Sequence, residues 1–254
     1  MFKRLLATSL AFSLFSLSAQ AAGESYTALV EPNYPPFDFS DENGIPIGFD
    51  IDILKAIAEK QGFTIEFIAR PANEIISGLE AGSHHIGAAG FGEGEEGNNL
   101  VSDPYAYGHD VVMTQTNTQK IAHLADLSHL TVTTQDDTSY AEDLLTLFAD
   151  DKSKLNLQKT SFLAFRELAR GKAEALLGSR ETSEYYAAEF PNLTFSIHEL
   201  EGARYKKYKL YFIISPQHAP LRDKINAGLQ QLIDDGSYQK IYQQWFKREA
   251  EIPR

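Results

Sequence analysis

The residues best equipped for chemistry fall in four short runs of the 254-residue chain. Glu93, Glu95 and Glu96 stand in the run Gly90-Phe91-Gly92-Glu93-Gly94-Glu95-Glu96-Gly97, where clustered carboxylates can select a cation by charge complementarity. A run of like charge is more often a solvated surface segment, and both readings stay open. Asp137-Thr138-Ser139 falls at a predicted helix start, where hydroxyls and free amides can hold an anion. Arg180 follows Ser179 at the end of a predicted strand and adds a guanidinium to that anion-holding option. His84-His85 makes a poor metal pair, because neighbours on a strand point to opposite faces. The seven histidines include no HExxH motif, so no metal is expected. With no cysteine at all, disulfides, thiolate zinc sites, iron–sulfur clusters, cysteine nucleophiles and lipoprotein anchoring are excluded, and no cofactor is expected.

These groups need elements to position them, and the chain supplies an α/β rhythm. Residues 1–21 come first as a separate unit: Lys3 and Arg4, an apolar run from Leu5 to about Leu17, then Ala19-Gln20-Ala21. This is a secretory signal cleaved after Ala21, since the apolar run is short of the roughly 20 residues that span a bilayer. Its removal takes the net charge from −12 to −14, which speaks against nucleic acid as a partner. An acidic, exported chain without cysteine suggests the periplasm of a Gram-negative bacterium. Strand-like runs at 26–30, 64–68, 86–89 and 110–114 then alternate with helical runs at 51–58 and 73–81, with Gly62 as a C-cap. The polar stretch Gln115–Gln119 reads as a crossing to a second unit of the same rhythm, from Leu130 to Glu199. An apolar strand at 210–214 and a helical run at 221–245 follow.

Several segments resemble the bacterial extracellular solute-binding proteins of the amino-acid type, family 3. The residues that carry the likeness are Tyr34-Pro35-Pro36-Phe37, Gly48-Phe49-Asp50-Ile51-Asp52, Ser102-Asp103-Pro104-Tyr105 and the end from Leu232 to Phe246, with its Asp235-Gly236 break. Read without the family, Asp50 is a helix N-cap, and Tyr238, Tyr242, Trp245 and Phe246 are packing residues at helical spacing. The resemblance implies a two-lobed periplasmic-binding-protein (type II) fold, each lobe a mixed sheet flanked by helices, joined by two hinge strands. Residues 22–115 and 206–254 would form one lobe and 116–205 the other, with hinge strands near Gln115 and Tyr205. It also implies function: a monomer that captures a small-molecule ligand by hinge bending and presents it to an inner-membrane ABC permease. A membrane sensor is the alternative partner, and a dehydratase-like enzyme with Glu31 or Glu95 as acid or base is a further alternative to this non-enzymatic reading.

Carried over residue by residue, the resemblance places the ligand against Glu31, Tyr34, Phe37, Gly90, Phe91, Gly92, Thr138 and Ser139. The family's Arg for the ligand α-carboxylate falls on Glu95 counting back from Ser102, or on Gly97 counting forward from Gly90. No Lys or Arg occurs between Pro71 and Gln119, so no register restores it. The family's Asp for the α-ammonium group is replaced by Ser179, with Arg180 next, and its aromatic wall residue by Ala72. A buried charge left without its partner costs about 3–5 kcal/mol, so free α-amino acids are not expected in the usual pose.

Overall fold

Ala28, Leu29 and Val30 are all buried, as a strand covered on both faces requires. The computed structural model, which describes residues 23–115, 120–202, 205 and 207–253, places them in β1 (Ser25–Val30). There follow β2 (Asn33–Tyr34), β3 (Asp38–Ser40), β4 (Pro46–Ile47), α1 (Phe49–Gln61), β5 (Thr64–Ala69), α2 (Ala72–Glu80), β6 (Ile86–Ala88), β7 (Leu100–Val101) and β8 (Ala106–Gly108). A second unit runs β9 (Asp110–Thr114), β10 (Val132–Gln135), α3 (Ser139–Leu147), β11 (Leu155–Gln158), α4 (Ser161–Ala169), β12 (Ala175–Ser179), α5 (Arg180–Ala188) and β13 (Ser196–Glu199). The chain returns through β14 (Tyr208–Leu210) and β15 (Ile213–Ile214) and ends in α6 (Ala219–Asp234) and α7 (Ser237–Phe246). The expected signal at 1–21 lies outside the described residues, and no helix among those described is long and apolar enough to cross a membrane.

Each lobe is built on one five-stranded mixed sheet. The first has the order β5-β1-β6-β15-β7, with β1 parallel to β5 and β6, and β15 antiparallel to β6 and β7. The second has the order β11-β10-β12-β9-β13, with β10 parallel to β11 and β12, and β9 antiparallel to β12 and β13. Alternate strand residues feed two cores per sheet. Leu29 and Ile213 pack with Ile75 and Leu79 on one side of the first sheet, while Ala28, Val30, Phe212 and Ile214 join the aromatic core under α1, α6 and α7 on the other. Met113 and Leu176 meet Phe165 and Leu168, while Val112 and Leu177 meet Leu144 and Phe148.

Two sequence expectations change here. The strand Asp110–Thr114 does not close the first lobe: it pairs with β12 from Asp110↔Ser179 to Thr114↔Ala175 and so belongs to the second sheet. The crossing therefore precedes Gln115. It is made by β8, which pairs antiparallel with β14 over Tyr208↔Gly108 to Leu210↔Ala106, a two-stranded ribbon between the sheets. The stretch 116–119 lies outside the described residues, and Tyr205 bonds Asp143 of α3 through its hydroxyl at 2.9 Å, so it stands with the second sheet rather than at the crossing. Asp50 is also not a cap. Gly48 precedes the helix, and Asp50 sits within its first turn, fully buried, its Oδ2 accepting from the Tyr105 hydroxyl at 2.8 Å.

Candidate ligand-binding cleft

Parallel strands deliver loops and helix N-termini to the same edge, and a crevice outside the carboxyl ends of such strands is where α/β sheets bind ligands. Both sheets turn that edge toward each other here, enclosing a cavity of about 620 Å³. The first lobe contributes Glu31, Asn33 and Tyr34 after β1, Ala72 at the start of α2, and the run Ala89–Glu93 with Glu95 after β6. The second contributes Thr134 and Gln135 at the end of β10, Asp137 to Ser139 after it, Ser161 at the start of α4, Gly178 and Ser179 of β12, and Thr182, Ser183 and Tyr186 of α5. Asp110 comes from the start of β9 in the second sheet, and Lys207 and Tyr208 from the returning chain at β14.

The lobes touch across this cavity. The Ser161 hydroxyl donates to the Asn33 carbonyl at 2.9 Å, and the Tyr34 hydroxyl hydrogen-bonds Ser179. Beyond the cavity, the Arg248 guanidinium that follows α7 grips two carboxylates of α5, Glu181 at 3.0 Å and Glu184 at 3.3 Å. His109 Nδ1 meets the same Glu181 carboxylate at 2.8 Å. The Glu181 side chain is only 1% exposed, so these partners offset the cost of burying it. The arrangement is a closed one.

Tyr34 depends on a glycine and a phenylalanine. A Cβ on Gly90 would stand 2.4 Å from Tyr34 Cε1, and Gly90 holds φ +66°, the left-handed region that side chains avoid. Phe37 stacks on the other ring of the pair at 5.1 Å between centroids and is itself fully buried. Phe37 was expected against the ligand; it backs Tyr34 instead, because the turn closed by Phe37 N–H to the Tyr34 carbonyl at 3.0 Å sends one ring to the cavity and the other to the core. Burial raises the Tyr34 phenol well above its ordinary range, with nearby Glu181, Asp110 and Asp38 adding to the effect. Gly90→Ala is expected to push Tyr34 aside at a cost of about 1–3 kcal/mol, read as a Tm lower by roughly 2–12 °C. An unchanged Tm would place the Tyr34 ring elsewhere.

Of the other expected residues, Glu31, Gly90, Phe91, Gly92, Glu95, Thr138, Ser139 and Ser179 all line the cavity, and Arg180 does not. Arg180 is the first residue of α5 and spends its guanidinium on Glu184 at 3.1 Å and Glu199 at 2.9 Å, outside the cleft. Thr138 caps α3, accepting from Ala141 N–H at 3.3 Å and donating to the Gln135 carbonyl at 2.7 Å. Ser179 caps α5 in the same manner through Thr182 N–H at 3.4 Å. Glu31 accepts from the Ala72 amide at 2.6 Å, and burial raises its carboxyl above the usual range. Glu95 folds back on its own loop to accept from Gly92 N–H at 2.6 Å, whereas Gly97 packs by Glu80 and Ile76, away from the cavity. The glutamate run thus faces the cleft through Glu93 and Glu95. His84 and His85 do not diverge: both rings meet the Thr27 hydroxyl, at 3.3 and 2.9 Å, because they precede β6 rather than belong to it.

Sequence reasoning missed Asp110, Tyr140, Tyr186, Lys207 and Tyr208. Tyr140 donates to Asp110 Oδ1 at 2.7 Å and shares a second hydrogen bond with the Tyr208 hydroxyl. Since the Tyr140 proton goes to Asp110, Tyr208 is the donor in that second bond. Gly108 permits this, for a Cβ there would meet the Tyr208 ring at 2.6 Å. One sign was available: Asp110 opens an otherwise apolar strand, and a carboxylate in that place needs partners.

Comparison with known proteins agrees with this geometry. The family model for bacterial extracellular solute-binding proteins, family 3, matches residues 26–248. An arginine-binding periplasmic protein of Mannheimia haemolytica is 26% identical over 222 residues, covering 85% of this chain and 89% of the relative. ABC transporter arginine-binding protein 1 of Escherichia coli K12 is 26% identical over 235 residues, covering 91% and 94%. Among solved structures, an ancestral arginine-binding protein bound to arginine superposes with a TM-score of 0.75 at 29% identity, covering 89% of this chain and 99% of that one.

Proposed function

The chain belongs to the bacterial extracellular solute-binding proteins, family 3, and from that membership we propose that it is an exported periplasmic binder that captures one small polar ligand between its lobes and presents it to an ABC permease. Closure hinges on the β8–β14 ribbon, with one lobe formed by about residues 23–108 and 208–253 and the other by 109–207. Ligand contributes to closure only through its greater affinity for the closed arrangement, in which groups of both lobes reach it at once. The relatives named above are binding proteins, which supports binding rather than catalysis.

The observation that carries the reading is the wall of the cavity: both lobes line it, and among its described residues no arginine occurs. A bidentate guanidinium is the fitting partner for an α-carboxylate, so the ligand is not a free α-amino acid in the usual pose. A thermal-shift screen of residues 22–254 with amino acids, polyamines, dicarboxylates, small peptides and cyclohexadienyl acids tests capture. At about 100 times Kd a ligand adds about 2.7 kcal/mol, a rise of roughly 5–11 °C for a chain of this size. Stabilisation by one class is expected; no stabilisation by any class would overturn the capture reading.

A further inference from the structure

Resting on that capture reading, we propose that the ligand is a small organic cation without a carboxylate, an alkyl diamine or a guanidino-alkylamine, held between Glu31 and Glu93 of one lobe and Asp110 of the other. The charges on the cavity wall are one-sided. Glu31, Glu93, Glu95, Asp110 and Asp137 line it, and Lys207 is the cation among the described lining residues. Lys207 is already engaged: its ammonium pairs with Glu251 and lies 4.0 Å from the centroid of the Tyr107 ring.

Two places where an anionic group could bind are unfavourable to it. The position of the family's arginine holds Glu95, bonded to its own loop, when counted back from Ser102, and Gly97 when counted forward from Gly90. The N-terminus of α3 carries its own Thr138 cap and has Asp136 and Asp137 immediately before it. Cation recognition has what it needs, because the rings of Tyr34, Phe91, Tyr140, Tyr186 and Tyr208 line the same cavity and aromatic faces attract ammonium and guanidinium groups. Glu31 is a half-buried carboxylate that accepts from the Ala72 amide at 2.6 Å and from Asn33, through its backbone amide and, at 3.5 Å, its side-chain amide, and no cation among the described residues pairs with it. A ligand cation would supply that charge. Because Glu31 and Asp110 hang from different sheets, a molecule with a cationic group near each is held fully only when the lobes meet.

Agmatine and arginine differ by the carboxylate alone, so isothermal titration of residues 22–254 with each, and with putrescine and glutamate, isolates the point. Agmatine or putrescine is expected to bind at least about 100-fold more tightly than arginine. Glu31→Gln, Asp110→Asn and the more exposed Glu93→Gln should each weaken the binding by about 10-fold or more, with Tm measured in parallel to show that each variant is folded. Glu95→Arg should move preference toward arginine, an exchange that a merely structural role for Glu95 would not produce. Arginine or glutamate binding as tightly as agmatine overturns the ligand class and leaves capture intact. Silence for every probe, together with silence in the wider screen, overturns capture itself.

Discussion

Replacing Phe49 by alanine is expected to lower the Tm by roughly 6–20 °C, the equivalent of about 3–5 kcal/mol. Phe49 is fully buried at the start of α1, and five rings surround it: Phe246 at 5.1 Å, Tyr242 at 5.6 Å, Tyr238 at 5.9 Å, Tyr105 at 6.2 Å and Phe37 at 6.3 Å between centroids. Truncation loses the transfer free energy of the ring and leaves a void that these stiff neighbours fill poorly. The consequence reaches the cleft, since Phe37 also stacks under Tyr34. Calorimetric melting of Phe49→Ala beside Phe162→Ala makes the comparison. Phe162 is 42% exposed and should cost far less, whereas similar losses for the two would mean that the aromatic core does not carry the first lobe.

The chain should also lose stability as pH rises from about 4 to about 7, and Asp50→Asn should remove much of that loss. Burial pushes Asp50 up to about 7, against an unfolded value near 3.9. Burial also raises Asp38, with the Asp50 carboxylate adding to the effect. The Oδ1 atoms of both carboxyls are buried without a hydrogen-bond partner among the described residues. Between these two pH limits the folded chain keeps a proton that the unfolded chain has released, so raising the pH favours unfolding. A stabilisation complete below about pH 4 is lost as the pH passes through about 7. Three pH units correspond to about 4 kcal/mol as a ceiling, or up to roughly 8–16 °C in Tm. Melting of both proteins between pH 4 and pH 8 is the check: the variant should gain on the parent steadily with pH. Parallel curves would mean that Asp50 stays ionised in the fold.

Periodic elements were legible in the sequence because their burial pattern is local. Leu29 between Ala28 and Val30, or Ile75 with Leu79, announces a strand or a helix without knowledge of neighbours. Asp50 illustrates the limit: a cap and a buried acid look alike at a helix start, and only the approach of Tyr105, 55 residues later, distinguishes them. The crossing was misplaced for a similar reason. Three residues of β8 are too few to carry a period, and the apolar strand Asp110–Thr114 fits either sheet until β12 pairs with it. In the cleft, the motif-bearing positions Tyr34 and Gly90 to Gly92 were found, whereas Asp110 and Tyr208 were not, since tertiary pairing alone brings the start of β9 and the β14 strand of the ribbon to the cavity. Arg180 drew notice as a charge, but a helix turns about 100° per residue, and its neighbour Ser179 takes the inward position.

We propose that this cleft, whose described lining residues include no arginine, does not hold an α-amino acid by its carboxylate. Isothermal titration of residues 22–254 with arginine and glutamine at neutral pH tests it most directly. Weak or undetectable heats, with a Kd no tighter than about 1 mM, are the predicted result. Saturable 1:1 binding near 1 μM, with a bound structure placing the carboxylate beside Glu95, would contradict it.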